Sequence, residues 1–192
     1  MERETAYAIV TEFVKNDGLV RHMLSVEAAM RAYAVKLGED PEPWGLAGLL
    51  HDFDWEIHPT LEQHPQAGVP ILRERGVPED IIRCIQSHAD HTGVAREKPM
   101  DKVLAAVDEL TGLITACALV RPSRSLSDLT AKSVKGKWKD KAFAAGVDRS
   151  EIEHNVKVLG VELAEHITFT IEAMRGIAPR LGLDGSLATP PQ

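Results

Sequence analysis

Imidazoles and carboxylates recur in one order along this chain: His22, the adjacent pair His51-Asp52, His64, His88 and then Asp108. Neutral imidazole nitrogen and ionised carboxylate oxygen are the ligands that divalent ions such as Zn, Mn, Fe, Co and Ni accept. The doublet closes an apolar run, Gly48-Leu49-Leu50-His51-Asp52. An ionised Asp is costly to bury there unless something compensates its charge, and a metal ion would do so. No Ser-His-Asp pattern, nucleophilic Cys context or Gly-rich phosphate loop competes with this constellation.

Helices are needed to bring such residues together, and the sequence predicts them. His22 lies three residues after Leu19 and four before Val26, His88 three after Ile85, and Asp108 four after Leu104. At helical spacing each borders an inward apolar stripe, while Glu109 should point elsewhere. One inward His is more often a satisfied core residue than a ligand; inward candidates on three helices, with the doublet, favour a metal. The spacing predicts helices over 2–15, from Leu19 to a Gly38 cap, from Pro41 through Leu50, from His64-Pro65 to Arg75, from Pro78 past Ile85, and over 100–119. Two short helices are expected in the basic stretch 123–141, and a final pair after an Asp148 cap, with a stripe through Leu163, Ile167, Ile171 and Met174. No alternating strand pattern occurs, so the fold class expected is a single all-α bundle.

The 192 residues, 44% of them hydrophobic, suffice for one domain with a substantial core, and residues 1–183 are read as that domain. Residues 184–192 are Gly/Pro/Ser-containing and read as a mobile tail. A net charge of -7 gives no signal for a nucleic-acid polymer or an anionic membrane, although bound metal ions can attract phosphate locally. Cys84 and Cys117 lie in apolar helical stretches and suit core packing in a reducing compartment. The start Met1-Glu2-Arg3-Glu4 has no apolar signal region and no stretch is long enough to span a membrane, so a cytoplasmic protein is expected. Nothing in the sequence sets an oligomeric state.

The pattern His22, His51-Asp52, Asp108 resembles the H…HD…D signature of the HD-domain metal-dependent phosphohydrolases, with a core match from about 19 to 115. The textures Gly-Leu-Leu-His-Asp and Ala-Ala-Val-Asp agree with it. The added His64 and His88 resemble the subset of that family that holds two ions. The resemblance implies one ion on His22, His51, Asp52 and Asp108, and a second on Asp52 as bridge with His64 and His88. His-Pro at a helix start is also a capping arrangement, which is the other reading of His64. The Lys132-Ser133-Val134-Lys135 segment and the Lys-rich stretch after it resemble a branch of predicted HD hydrolases, over nearly the whole chain. That likeness supplies no substrate.

The loop after the doublet reads Phe53-Asp54-Trp55-Glu56 and departs from the Ile-Gly of many relatives. Asp54 or Glu56 could serve as general base or orient water beside Asp52; the commoner reading of each is a solvated loop acid or a partner of the ligands. His91 after His88 invites a third-ion reading against that of a surface histidine, and His58, His154 and His166 are read as ordinary. The resemblance implies hydrolysis of a small phosphate ester or anhydride, often of a nucleotide. Two ions (Mn, Fe, Co, Ni, Zn or Mg) about 3.5–4 Å apart would activate water and orient the phosphate. Arg121, Arg124, Lys132 and Lys135 suit phosphate oxygens, or form a solvated basic face. Two alternatives stay open: an HD-fold di-iron oxygenase resembling myo-inositol oxygenase, and a non-catalytic ligand-sensing HD module.

Overall fold

The computed structural model describes residues 1–188. Among them are ten α-helices and no strand, so the all-α expectation holds. The chain divides into two compact units, Met1–Ala105 and the part from Ala106 onward.

In the first unit, α1 (Arg3–Phe13) and α2 (Asp17–Leu37) are separated by Asn16, whose side-chain oxygen accepts from the N–H groups of Gly18 and Leu19. Asn16 thereby satisfies two donors that a helix start leaves orphaned. Gly38, at φ 76°, ends α2 in the left-handed conformation that glycine adopts without strain. Asp40 and Pro41 open α3 (Pro41–Leu50), which is buried from Trp44 to Leu50. A helix apolar on all sides needs neighbours all round, and α1, α2 and α5 (Glu79–Ser87) pack against it. α2 approaches most closely: a Cβ on Gly48 would lie 3.0 Å from the Glu27 backbone. Glu27 itself is only 4% exposed, and it is paired with Arg3 at 2.7 Å and Arg31 at 2.9 Å.

The stretch expected to start a helix at His64-Pro65 is instead turns and a 3-10 turn over Gln66–Gly68, with α4 running only Val69–Glu74. There His64 is drawn into a buried bond with Asp54, and the chain coils tightly before it becomes helical. α6 (Pro99–Leu119) begins in this unit and carries Asp108 just before its midpoint.

In the second unit, α7 (Ala131–Gly136) is the one helix within the basic stretch where two were expected. Turns occupy the rest and continue beyond it, where Arg149 donates to the carbonyls of Phe143, Ala144 and Val147. Asp148 caps α8 (Arg149–Leu159), accepting from Ser150 and Glu151 as the sequence predicts. α9 (Leu163–Arg175) buries Ile167, Ile171 and Met174, and a short α10 (Ala178–Leu181) follows, which the sequence pattern did not suggest. Asp184 makes an isolated bridge to Ser125 and its side chain accepts from Ser186 N–H; the remainder of the expected tail, 189–192, lies outside the described residues.

Gly48→Ala should push α2 and α3 apart. A loss of about 1–3 kcal/mol in denaturant unfolding is expected, typical of overpacking. Gly136→Ala, with open space around the position, should be neutral or slightly stabilising in the same assay.

Candidate metal centre

Two helix ends build most of the site. His51 and His88 occupy the C-cap positions of α3 and α5, where backbone carbonyls lose their helical partners. Each imidazole donates its Nδ1–H to a carbonyl three residues back, His51 to Gly48 at 2.9 Å and His88 to Ile85. One bond caps the helix and fixes the tautomer, so the Nε2 lone pair of each ring is directed inward.

Those Nε2 atoms converge on Asp52. Its Oδ2 lies 3.4 Å from His51 Nε2 and 3.7 Å from His22 Nε2. Its Oδ1 lies 3.3 Å from His64 Nε2 and 3.9 Å from His88 Nε2. Within each pair the two Nε2 atoms are 3.2 Å apart. Asp52, His64 and His88 thus present ligand atoms within 4.8 Å of one another. The burial of Asp52 opposes its charge, but the surrounding imidazoles of His51, His64 and His22 more than offset this and hold its carboxyl well below the usual range.

His64 is placed by the turn rather than by a helix. It is buried, its Nδ1 donates to Asp54 Oδ1 at 2.8 Å, and its carbonyl accepts from His91 Nε2 at 2.8 Å. Burial works against its protonated form, but Asp52 and Asp54 outweigh that and raise its pKa to about 9. Asp54 is fully buried; its second oxygen, Oδ2, has no hydrogen-bond partner and lies 2.7 Å from where a Cβ on Gly68 would stand. Arg96 braces the end of α5, donating to the carbonyls of Ser87 at 2.8 Å and His88 at 2.6 Å.

The donor set fits divalent metal. The Nδ1 hydrogens of both His64 and His88 are engaged, so two neutral rings would oppose Nε2 lone pairs at 3.2 Å. Only a cation, proton or metal, relieves that opposition. Two imidazole nitrogens on one ion at about 2.0–2.1 Å stand about 3.0–3.4 Å apart, which matches both pairs.

Glu56 is exposed and accepts from the backbone N–H groups of Lys15 at 3.0 Å and Asn16 at 2.7 Å. Asp108 is half-buried on α6, and its neighbour Glu109 turns to the Asp148 N–H. In the second unit Arg121 is paired with Asp128 at 2.6 Å, while Arg124 (φ 44°), Lys132 and Lys135 are exposed. His166 is core, bonded to the Ala106 carbonyl at 2.8 Å. Sequence reading missed the Asp54–Gly68 contact and the bracing Arg96, since neither leaves a periodic signal.

Residues 19–113 match the HD domain family. That match covers just under half of the chain and contains His22, His51, Asp52, His64, His88 and Asp108, so it supports a resemblance to the HD-domain superfamily. Ribonuclease Y 1 of Pediococcus pentosaceus is 29% identical over 94 residues, which are 48% of this chain and 18% of that relative. The chain therefore spans less than a fifth of it. No solved structure matches the chain. No helix among the described residues is long and apolar enough to cross a membrane.

Asp54→Asn and Gly68→Ala should each disturb the hold on His64. Both are expected to weaken metal affinity at His64 by about 10–100-fold, the usual effect of losing a ligand's supporting bond; metal titration followed by calorimetry reads this. Because His64 carries a proton below about pH 9, metal must displace it. Affinity should therefore rise from pH 6 toward pH 9, with about one proton released per chain near pH 7, measurable in buffers of different ionisation enthalpy.

Proposed function

We propose that the protein is a metal-dependent phosphohydrolase that holds two divalent ions and hydrolyses a small phosphate ester or anhydride, with a nucleotide as the favoured substrate. The observation that carries this reading is the division of the Asp52 carboxylate: Oδ2 faces His22 and His51, and Oδ1 faces His64 and His88. In the proposed arrangement His22, His51 and Asp108 hold one ion, His64 and His88 the other, and Asp52 serves both. Bound there, the ions would supply Lewis-acid stabilisation of phosphate charge and lower the pKa of a water. The relative's name, a ribonuclease, is one instance of phosphoester hydrolysis.

The chain's own groups then divide the work. Asp52 stays ionised, so its part is to hold cations rather than carry a proton. Asp54 is sealed from solvent behind His64 and Gly68. We therefore assign it to keeping His64 in position rather than to proton transfer. Glu56 has its oxygens on two backbone N–H groups, and we assign it to holding the turn between α1 and α2. Phosphate contacts are proposed for Arg124, Lys132 and Lys135; Arg121 would add such a contact to its existing pair with Asp128. The two buried thiols suit a reducing cytoplasm as the working compartment.

Asp52→Ala should remove nearly all metal and activity, and His64→Ala should leave about one ion per chain, read by metal analysis of protein loaded with Mn, Fe or Co. Wild-type protein that never exceeds one ion would defeat the two-ion arrangement. Phosphate or nucleoside release without oxygen consumption is the expected reaction. Oxygen uptake with a polyol or phosphonate, and a mixed-valence iron signal, would transfer the site to the oxygenase class; metal retention with no turnover would leave a sensing module. Lys132→Ala and Lys135→Ala should each lower kcat/KM by about one to two orders of magnitude through a lost charge-assisted bond of about 1.5–3 kcal/mol. Changes like those of a distant Lys15→Ala control would place the phosphate contacts elsewhere.

A further inference from the structure

The turn after the doublet opens a cleft that the ligand set leaves unused. Trp55, Leu19, Pro59, Asn16 and Glu56 line it, and its volume is about 440 Å³. It adjoins the ligands on two sides. The Trp55 N–H donates to the Asp52 carbonyl at 3.0 Å, and its indole meets the His64 imidazole edge to face, centroids 5.0 Å apart at 88°. Leu19 stands one turn before His22 on α2.

The chemistry of this lining is specific. Trp55 is half-buried and held by His64, yet part of its indole still faces the cleft. Leu19 and Pro59 supply apolar walls. At the polar end, Asn16 has its side-chain oxygen committed to Gly18 and Leu19, so its amide NH2 is what it can offer. Glu56 accepts one N–H at each carboxylate oxygen and keeps lone pairs for a further donor. A fixed aromatic face flanked by an amide donor and a carboxylate acceptor suits a flat nitrogen heterocycle, which stacks through its ring and hydrogen-bonds through its edge. The volume lies in the range that binds small ligands.

We propose that this cleft is the subsite for a planar base carried by the substrate, with Trp55 as its stacking surface, so that Trp55 sets a preference for nucleotides over phosphorylated sugars. The phosphate end of this arrangement rests on the hydrolase reading above; the base end is measurable without turnover. Adenosine has the base and no phosphate to lose, and its binding to the Mn-loaded full chain can be followed by calorimetry. Trp55→Leu fills the space without an aromatic face and should weaken adenosine binding about tenfold or more, while Trp55→Phe keeps most of it; metal analysis of each variant checks that His64 still holds its ion. In steady-state assays the ratio of kcat/KM for adenosine 5′-monophosphate to that for ribose 5-phosphate should fall in Trp55→Leu by a similar factor, carried by KM. Adenosine that does not bind, binding that is indifferent to Trp55, or equal kcat/KM for the two substrates in the wild type overturns the subsite and leaves the hydrolase reading standing. Trp55-dependent adenosine binding without phosphate release from either compound does the reverse.

Discussion

A carboxylate out of bulk water must be compensated, and the arrangement of the first unit follows from how Asp52 is compensated. Four imidazole nitrogens stand within 3.9 Å of its two oxygens. An anion so enclosed stays ionised, and rings whose nitrogens crowd one another at 3.2 Å need positive charge between them. Each requirement answers the other only if a cation is present. In its absence the positive charge comes from a proton on His64, so proton and metal compete for the same place. The cost of exchanging one for the other is set by Asp54, whose charge favours the protonated ring but also aims its Nε2 at Asp52.

Such an arrangement tolerates little play, and the backbone provides the stiffness. His51 and His88 spend their Nδ1 hydrogens on capping their own helices, so moving either ring would leave a helix end unsatisfied as well as a ligand misdirected. α2 and α3 are held close enough that Gly48 has no room for a side chain, and that approach sets the distance from His22 to His51. Gly68 does the same for Asp54. The glycines and the caps are therefore structural in cost but functional in effect: they convert fold stability into ligand geometry.

Much of this was legible in the sequence, for a physical reason. His22 and His88 border apolar stripes at helical spacing, and a His-Asp doublet at the end of an apolar run is difficult to explain without a cation. Periodicity finds residues on regular elements. It says nothing of His64, which sits in a turn, nor of Asp54, whose partners come from ten and fourteen residues further along the chain. The sequence allowed Asp54 and Glu56 the same set of roles because both are acids beside the doublet. Their burial separates them, one sealed against His64 and the other exposed on the α1–α2 turn. The expected helix from His64-Pro65 failed for the same reason: a tertiary bond to Asp54 overrides local helix propensity there.

The loop Phe53-Asp54-Trp55-Glu56 is thus where this chain is most its own. Along four consecutive residues the side chains run from inside to outside: Phe53 packs edge to face on Phe13, Asp54 is buried against His64, Trp55 borders a cleft, and Glu56 closes the turn before α2. Backbone bonds from Trp55 to Asp52 and from His58 to Asp54 tie the turn to the doublet itself. Asp54 and Trp55 each touch a candidate ligand directly, through the His64 bond and through the Asp52 carbonyl and His64 ring, whereas Phe53 packs in the core and Glu56 bonds the start of α2. In the proposed arrangement α2, α3 and α5 carry ligands for the ions, whereas this loop borders the space beside them, and a shared ligand pattern can serve different substrates by varying such a loop.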